Sequence, residues 1–211
     1  MFIASVPYRS FDPYNQYRFQ DEGPILEHAV IVFDKDGIVI NRWGNEMFYL
    51  PHGIHVDHEN CLWITDVALH QVFKFDWKSS SRRPTVTLGE RFKPGSSLDT
   101  FCKPSAVAST TDGLVVVADG YCNNRIMLFR SSGKFVSSWP LKQISGVDFF
   151  RNSLHVPHDL SIDEERKLVY VADRENGRVV IVDFNGTVVG LISDQRFGGA
   201  VYGVAYCAAC T

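Results

Sequence analysis

The stretch LPHGIHVDHENCLWITD, residues 50–66, contains the unit that is repeated along most of this chain. The unit has a proline near its start, continues through a polar turn and ends in an apolar run whose last residue is an aspartate. The same layout returns as CKPSAVASTTDGLVVVAD at 102–119 and as VPHDLSIDEERKLVYVAD at 156–173. The prolines of the three copies are 53 residues apart each time, at Pro51, Pro104 and Pro157. A fixed period of this length indicates an internal structural repeat.

Each copy of the unit predicts four short strands. The apolar run that ends in aspartate is followed by a loop and another apolar run, which is QVFKFD at 71–76 in the first copy. Turns such as SSGK at 131–134 and FNGT at 184–187 then lead into a last run. Glycine and aspartate punctuate the pattern, and helical periodicity is absent. Four strands in a repeat of about 50 residues are typical of a β-propeller blade, so we predict an all-β propeller.

The repeat also predicts the boundaries of the blades. The hairpin pattern AVIVFDKDGIVINRW at 29–43 matches only the last two strands of the unit, and residues 1–26 show the irregular pattern of a surface segment. We therefore predict a blade remnant at 10–49, blades at 50–101, 102–155 and 156–196, and the start of another blade at 197–211. Three and a half to four blades leave sheet edges open. We expect the chain to be a shortened product, a fragment or an incomplete gene model.

Composition excludes two classes of partner. The 211 residues carry a formal net charge of -3, and Lys and Arg are scattered, whereas a nucleic-acid-binding face is strongly basic. No window approaches the roughly 18 to 20 consecutive apolar residues that span a bilayer. The N-terminus, MFIASVPYRSF, lacks the pattern of a signal peptide. We expect no nucleic acid, no membrane span and, from the residues as given, no export signal.

The five cysteines leave at least one thiol without a partner inside the chain. They lie at positions 61, 102, 122, 207 and 210. CAAC at 207–210 has the spacing of a redox motif, but no helix follows it, and we do not expect a redox role there.

Two histidines occupy the same position of the repeat. His52 follows Pro51, His158 follows Pro157, and Ser105 takes this place in the middle copy. Because the segment before the first strand of a blade lies near the propeller axis, we expect these residues to face one channel. Imidazole is a good zinc ligand, so the pair predicts a metal site. The alternative is that each histidine only caps the entry of a strand with hydrogen bonds.

Tyr121 and Arg174 each follow the aspartate that ends a second strand. Because the two residues hold the same position in the repeat, we expect both on the same face of the propeller. A phenol near a cation can lose its proton and act as a base, and an arginine can bind a carboxylate with two hydrogen bonds. The alternatives are a channel-wall tyrosine with a satisfied hydroxyl, and an ion pair of Arg174 with Asp173 or Glu175.

We predict no metal ligand among the remaining histidines, which are His28, His55, His58, His70 and His155.

Several motifs together resemble one enzyme family. FYLPHGIHVD at 48–57, WITDVALHQVFKFD at 63–76, ADGYCNNRI at 118–126 and VADRENGR at 171–178 are similar to the peptidyl-α-hydroxyglycine α-amidating lyases. These form the lyase part of peptidylglycine α-amidating monooxygenase. The resemblance runs from about Ser10 to Tyr206 and implies a six-bladed propeller of NHL-type repeats.

The resemblance implies roles for particular residues. It assigns two of three zinc ligands, one backbone carbonyl on a structural calcium, a catalytic tyrosine, an active-site arginine and a disulfide. In this chain these are His52 and His158, Ile54, Tyr121, Arg174, and Cys102 with Cys122. The family's second disulfide falls on Tyr170 and Ile181, so both of its cysteines are missing. The third zinc histidine, the other calcium ligands and a further active-site arginine are expected outside the 211 residues.

The function implied is cleavage of a peptide that ends in α-hydroxyglycine, with zinc, to an amidated peptide and glyoxylate. Its partners are that peptide substrate and a peptidylglycine hydroxylating monooxygenase. The family implies the secretory pathway, a secretory granule or the extracellular space, where the Asn185-Gly186-Thr187 triplet is a glycosylation sequon. Two alternatives stay open: an inactive remnant of the lyase, and a non-catalytic NHL propeller that binds a protein. We expect the 211-residue chain to be weakly active or inactive on its own.

Overall fold

The computed structural model describes residues 10–76, 78–79, 82–139 and 153–208. It contains fourteen strands and three short 3₁₀ turns in the described residues, and no described helix is long and apolar enough to cross a membrane. The strands are β1 (Val30–Phe33), β2 (Val39–Trp43), β3 (Pro51–Val56), β4 (Leu62–Asp66), β5 (Gln71–Phe75), β6 (Val86–Leu88), β7 (Ala106–Ser109), β8 (Leu114–Asp119), β9 (Arg125–Arg130), β10 (Phe135–Trp139), β11 (Pro157–Asp163), β12 (Leu168–Asp173), β13 (Arg178–Asp183) and β14 (Val188–Ser193).

The strands form three four-stranded antiparallel sheets and one hairpin. The sheets are β3–β6, β7–β10 and β11–β14, each with its strands side by side in chain order, and β1 pairs only with β2. The first strand of the middle sheet, β7, contacts the first strands β3 and β11 of its two neighbours. This is the arrangement of propeller blades, and the predicted all-β propeller of three and a half to four blades is confirmed. The predicted end of the second blade, residues 140–152, lies outside the described residues.

The second strands of the first and second sheets each lie between two hydrophobic layers. In β8, Val116 and Ala118 pack towards the third sheet, and Val115 and Val117 pack towards the first. All four are buried because side chains alternate between the faces of a strand and both faces of this sheet are covered. The continuous apolar run LVVVA follows from this double coverage.

The aspartate that ends each second strand has a structural function. Asp66, Asp119 and Asp173 are fully buried, and each accepts a hydrogen bond from a backbone N–H of the segment that enters its own blade. Arg125 and Arg178 pair with two of these carboxylates, at 2.8 Å and 2.7 Å. A buried carboxylate held by N–H donors and an arginine closes the blade at this point.

Two terminal segments differ from the predictions. Tyr17 is buried in the cluster that covers the first sheet, so the segment from residue 10 packs on the blade and is not merely a surface segment. Residues 198–208 contain no strand, although the start of a blade was predicted there. Their backbone bonds to side chains of β11 instead, Val204 N–H to Asp159 and Tyr206 N–H to Ser161.

Gly120 lies where the second and third sheets approach each other closely. A Cβ at this position would lie 2.1 Å from the carbonyl oxygen of Pro157. We expect Gly120→Ala to lower the free energy of unfolding by about 1 to 3 kcal/mol, because the backbone must move to relieve the clash. Urea unfolding monitored by circular dichroism measures this. Gly203→Ala is the control, since its nearest contact would be 3.5 Å. Equal midpoints for the two variants would contradict the prediction.

Candidate active site

His52, Tyr121 and His158 meet at one point of the structure. His52 Nε2 lies 2.8 Å from the Tyr121 hydroxyl oxygen, and His158 Nε2 lies 3.1 Å from the same oxygen. The two imidazole ring centres are 4.9 Å apart. His52 stands at the start of β3 and His158 at the start of β11, while Tyr121 follows β8. The structure therefore brings together the two histidines that the repeat placed on one channel and Tyr121, which the repeat placed on one face of the propeller.

Backbone carbonyls set the orientation of both imidazoles. His52 Nδ1 lies 2.7 Å from the carbonyl oxygen of Ser105, and His158 Nδ1 lies 2.7 Å from that of Tyr202. Because a carbonyl only accepts, each Nδ1 carries the proton and each neutral ring turns the lone pair of Nε2 towards Tyr121. The phenol has one proton for two acceptors. One of the two Nε2 lone pairs is therefore left without a proton to accept, and a metal cation would supply the missing positive charge.

The environment keeps both histidines neutral. Burial lowers the pKa of His52, the nearby His158 and Arg174 act in the same direction, and the hydrogen bond to Ser105 opposes them. Burial also lowers the pKa of His158, with Arg174 again contributing and the Tyr202 carbonyl opposing. Neutral imidazole is the form that binds metals, and a ligating histidine commonly donates its other N–H to a carbonyl. Both features fit a metal site.

Tyr121 does not have the lowered pKa that is expected of a general base. Burial raises the pKa of its hydroxyl, and the neighbouring Arg174 lowers it only in part. In the described chain the phenol therefore carries its proton near neutral pH. An additional positive charge beside the oxygen is needed before Tyr121 can accept a proton.

Arg174 lies over the rings of two tyrosines. Its guanidinium carbon is 5.2 Å from the ring centre of Tyr121 and 5.5 Å from that of Tyr202. It also forms the predicted alternative ion pair with Glu175, at 2.7 Å, whereas Asp173 pairs with Arg178. Sequence reasoning missed Tyr202, because it lies in a segment that was assigned to the next blade.

The predicted disulfide between Cys102 and Cys122 is present, with the Cα atoms 5.5 Å apart. It joins the residue next to Tyr121 to the entry of the second sheet. Closing a loop of this size would stabilise the fold by roughly 3 kcal/mol in the chain-entropy model. Tyr170 and Ile181, where the resemblance places a second disulfide, face each other directly in β12 and β13.

The remaining predicted positions take other places in the structure. Ile54 pairs with Ile64 within the first sheet, and Asn185 is exposed in the predicted turn before β14. His55 Nε2 accepts a hydrogen bond from the Ser109 backbone N–H, so it links two blades. Cys210 lies outside the described residues.

A second group of metal-type side chains is already paired with a lysine. Asp57, Glu59 and Cys61 come within metal-binding distance of one another, the one such group of three in the described part of the chain. Lys74 forms ion pairs with both carboxylates, at 3.1 Å and 2.8 Å. The ammonium group takes the place that a cation would need.

His70 is a buried residue whose importance the sequence did not indicate. It is fully buried, and its Nδ1 accepts a hydrogen bond from the Lys103 backbone N–H at 3.0 Å. Its Nε2 has no hydrogen bond to any described residue. Burial, and to a lesser degree Lys103, lower the pKa of His70 to about 4, while the Asn15 carbonyl opposes this without reaching hydrogen-bond geometry.

We expect His70 to make stability depend on pH. The unfolded histidine has a pKa of about 6.5, so between that value and about 4 the unfolded chain binds a proton that the folded chain excludes. The contribution is complete above the unfolded pKa and is lost as the pH falls to the folded one, about 3 kcal/mol in all. Urea unfolding of wild type and His70→Asn between pH 7.5 and 4.5 tests this. The variant should show the flatter pH dependence, and equal slopes would refute the assignment.

Comparison with known proteins shows which proteins this chain is similar to. NHL repeat is the family description that matches residues 101–127 and 154–182. The chain is 40% identical over 93% of its length to peptidyl-alpha-hydroxyglycine alpha-amidating lyase 1 of Drosophila melanogaster. It is also 40% identical over 93% of its length to peptidylglycine alpha-amidating monooxygenase of Rattus norvegicus.

The chain spans 37% of the length of the Drosophila melanogaster protein and 20% of that of the Rattus norvegicus protein. Among solved structures, a chain of the nidogen/laminin complex superposes with a TM-score of 0.62 at 15% identity. That match covers 85% of this chain and 60% of the other. At this identity the likeness concerns the fold alone.

Proposed function

Because this chain is homologous to part of the peptidyl-α-hydroxyglycine α-amidating lyases, we propose that its site serves the same reaction. The substrate is a peptide whose C-terminal residue is α-hydroxyglycine. The bond between the peptide nitrogen and the hydroxylated Cα breaks, and the hydroxyl becomes the aldehyde of glyoxylate. The hydroxyl proton leaves, the nitrogen gains a proton, and the other product is a peptide amide.

The observation that carries the proposal is the convergence of His52, Tyr121 and His158. The two Nε2 atoms lie 2.8 Å and 3.1 Å from one phenol oxygen, and both imidazoles are held in the tautomer that leaves Nε2 free to bind a cation. His52 and His158 would hold zinc. A zinc ion there would supply positive charge that makes both the substrate hydroxyl and the Tyr121 phenol more acidic.

The protein residues then have distinct roles. Tyr121, as phenolate, takes the proton from the substrate hydroxyl, and general base catalysis of this kind requires the two oxygens to be within hydrogen-bond reach. Arg174 binds the carboxylate of the hydroxyglycine, for which it must exchange its ion pair with Glu175. The disulfide between Cys102 and Cys122 holds Tyr121 in place during turnover.

Further parts of the proposal come from the family resemblance. A structural calcium would use the Ile54 carbonyl, which is one oxygen of the roughly six to eight that calcium takes. A glycan on Asn185 would suit its exposed turn, and glycosylation and the disulfide suit the secretory pathway, a secretory granule or the extracellular space. A peptidylglycine hydroxylating monooxygenase would supply the substrate. The rival function, an NHL propeller that only binds protein, has no need for two neutral histidines around a phenol.

The test is direct conversion of a hydroxylated peptide. The purified chain, loaded with zinc, is incubated with an N-acetylated peptide ending in α-hydroxyglycine, and amide and glyoxylate are measured together. Equal amounts of both products are expected, at a low rate that still exceeds the rate without protein, in line with the weak activity expected of the 211 residues. The same peptide ending in glycine is the control and should remain intact. A rate no higher than that of the buffer would overturn the proposal.

A further inference from the structure

An apolar cavity of about 250 Å³ adjoins the candidate active site. Phe11, Leu50, Pro51, Val67 and Lys103 line it away from the site. Pro51 and Val67 are buried, and the others are half-buried, so the cavity is built from packed side chains of four separate parts of the chain. Complete small-molecule sites commonly measure about 300 to 1,000 Å³. This cavity is large enough for one side chain of a peptide and too small for several.

The cavity shares a wall with the reacting centre. His52 and Tyr121 line it, whereas His158, Arg174 and Tyr202 do not. The site thus has two different flanks. One is cationic and aromatic, with Arg174 stacked on Tyr121 and Tyr202, and the other is the apolar cavity beside His52.

Lys103 contributes the one cationic group among the residues that line the cavity. Its ammonium nitrogen lies 4.1 Å from the ring centre of Phe11, a favourable cation–π distance. Burial lowers the pKa of Lys103, and Asp12 opposes this. The charge is therefore held against an apolar wall instead of extending into water.

The backbone of Lys103 is strained and firmly held. Its φ of 60° lies in the left-handed region, and the following Pro104 restricts the backbone further. A non-glycine residue in this region costs of order 1 to 3 kcal/mol and persists only where its surroundings fix it. Here the Cys102–Cys122 disulfide precedes it, and its N–H donates to buried His70. The same disulfide therefore positions Lys103 on the cavity and Tyr121 on the site.

We propose, on the premise of the lyase function above, that this cavity binds the side chain of the residue that precedes α-hydroxyglycine, and that it selects apolar side chains over basic ones. If Arg174 holds the carboxylate and the reacting carbon lies at Tyr121, the peptide leaves from the other flank, where the cavity is. Consecutive Cα atoms are about 3.8 Å apart, so the preceding side chain reaches a cavity that shares a wall with the site.

Selectivity follows from the character of the walls. An apolar side chain gains free energy by leaving water for Phe11, Leu50 and Val67. A lysine or arginine side chain would bring a second positive charge next to the Lys103 ammonium, in a place where water screens it poorly. A basic residue before α-hydroxyglycine is therefore disfavoured.

The test compares N-acetyl-Phe-α-hydroxyglycine with N-acetyl-Lys-α-hydroxyglycine. We expect kcat/KM to favour Phe by about tenfold or more, as like charges at close range predict. Lys103→Met, which removes the charge and keeps the length, should raise kcat/KM for the Lys substrate about tenfold relative to that for the Phe substrate. Lys35→Met is the matched control, since Lys35 is 88% exposed in the turn between β1 and β2.

A second readout does not depend on turnover. Binding of the product analogues N-acetyl-Phe-amide and N-acetyl-Lys-amide to the full chain is followed by NMR titration. If the chain prefers the Phe amide and Lys103→Met abolishes this preference, the cavity proposal is supported. This holds even if the chain releases no glyoxylate, because that result would count against the lyase function alone. Phe11→Ala should weaken binding of the Phe amide about tenfold. Turnover or binding with the same Phe-to-Lys ratio in wild type and Lys103→Met, or no binding of either amide, overturns the proposal.

Discussion

Replacing Tyr121 by phenylalanine is expected to lower kcat for an α-hydroxyglycine peptide by about 10²- to 10⁴-fold, the usual contribution of a positioned general base. The substitution removes only the hydroxyl, which both His52 and His158 contact, at 2.8 Å and 3.1 Å. The ring remains, and with it the stacking surface of Arg174, at 5.2 Å. KM should therefore change much less than kcat.

Tyr202→Phe provides the matched control for this prediction. Tyr202 also stacks on Arg174, but it fixes His158 through its backbone carbonyl, which the substitution retains. We expect its kcat to stay within about threefold of wild type, because no hydroxyl at this position takes part in proton transfer. Steady-state kinetics with glyoxylate detection measures both variants. If Tyr121→Phe kept a kcat within tenfold of wild type, Tyr121 would not be the base.

Replacing His52 by alanine is expected to weaken zinc binding by at least about 100-fold, since even residues that only support a metal ligand contribute 10- to 100-fold. His52 is half-buried, neutral and oriented by the Ser105 carbonyl, so its Nε2 lone pair already points into the site. Isothermal titration of chelator-treated protein with zinc chloride measures the affinity independently of catalysis. His158→Ala should behave similarly, as the other half of the pair.

His55→Ala is the control for metal binding. His55 lies on the same strand, β3, but its Nε2 contacts Ser109 of the next blade. We expect unchanged zinc affinity and a modest loss of stability from the broken contact between blades. Equal zinc affinity of wild type and His52→Ala would exclude His52 as a ligand and would leave the hydrogen bonds of His52 as its whole function.

The repeat was readable from local patterns. The spacing of Pro51, Pro104 and Pro157 and the run LVVVAD predict strands and blades, because alternation, β-branched residues and turn residues act over a few positions. The register of the repeat also placed His52 and His158 at equivalent points. Residues at equivalent points of the blades face the same axis, and the structure brings the centres of these two rings, from alternate blades, to 4.9 Å from each other.

The residues around the two rings could not be predicted in this way. Tyr202 lies 44 residues from His158 along the chain, yet its carbonyl decides which nitrogen of His158 faces the site. Lys103 and the buried His70 meet through a backbone hydrogen bond across 33 residues. No local pattern encodes such contacts, because they depend on where separate loops lie after the blades have packed.

Sequence patterns thus specified the blades of this protein, the shared register of its two histidines and, through the resemblance, the Cys102–Cys122 disulfide. The packing of the sheets decided the rest: the single phenol proton facing two lone pairs, the raised pKa of Tyr121, and the apolar cavity beside Lys103. The physical reason is how far apart along the chain the interacting residues lie. Strand formation depends on neighbours in the chain, whereas tautomers, pKa values and cavities depend on burial and on groups that only the folded chain brings together.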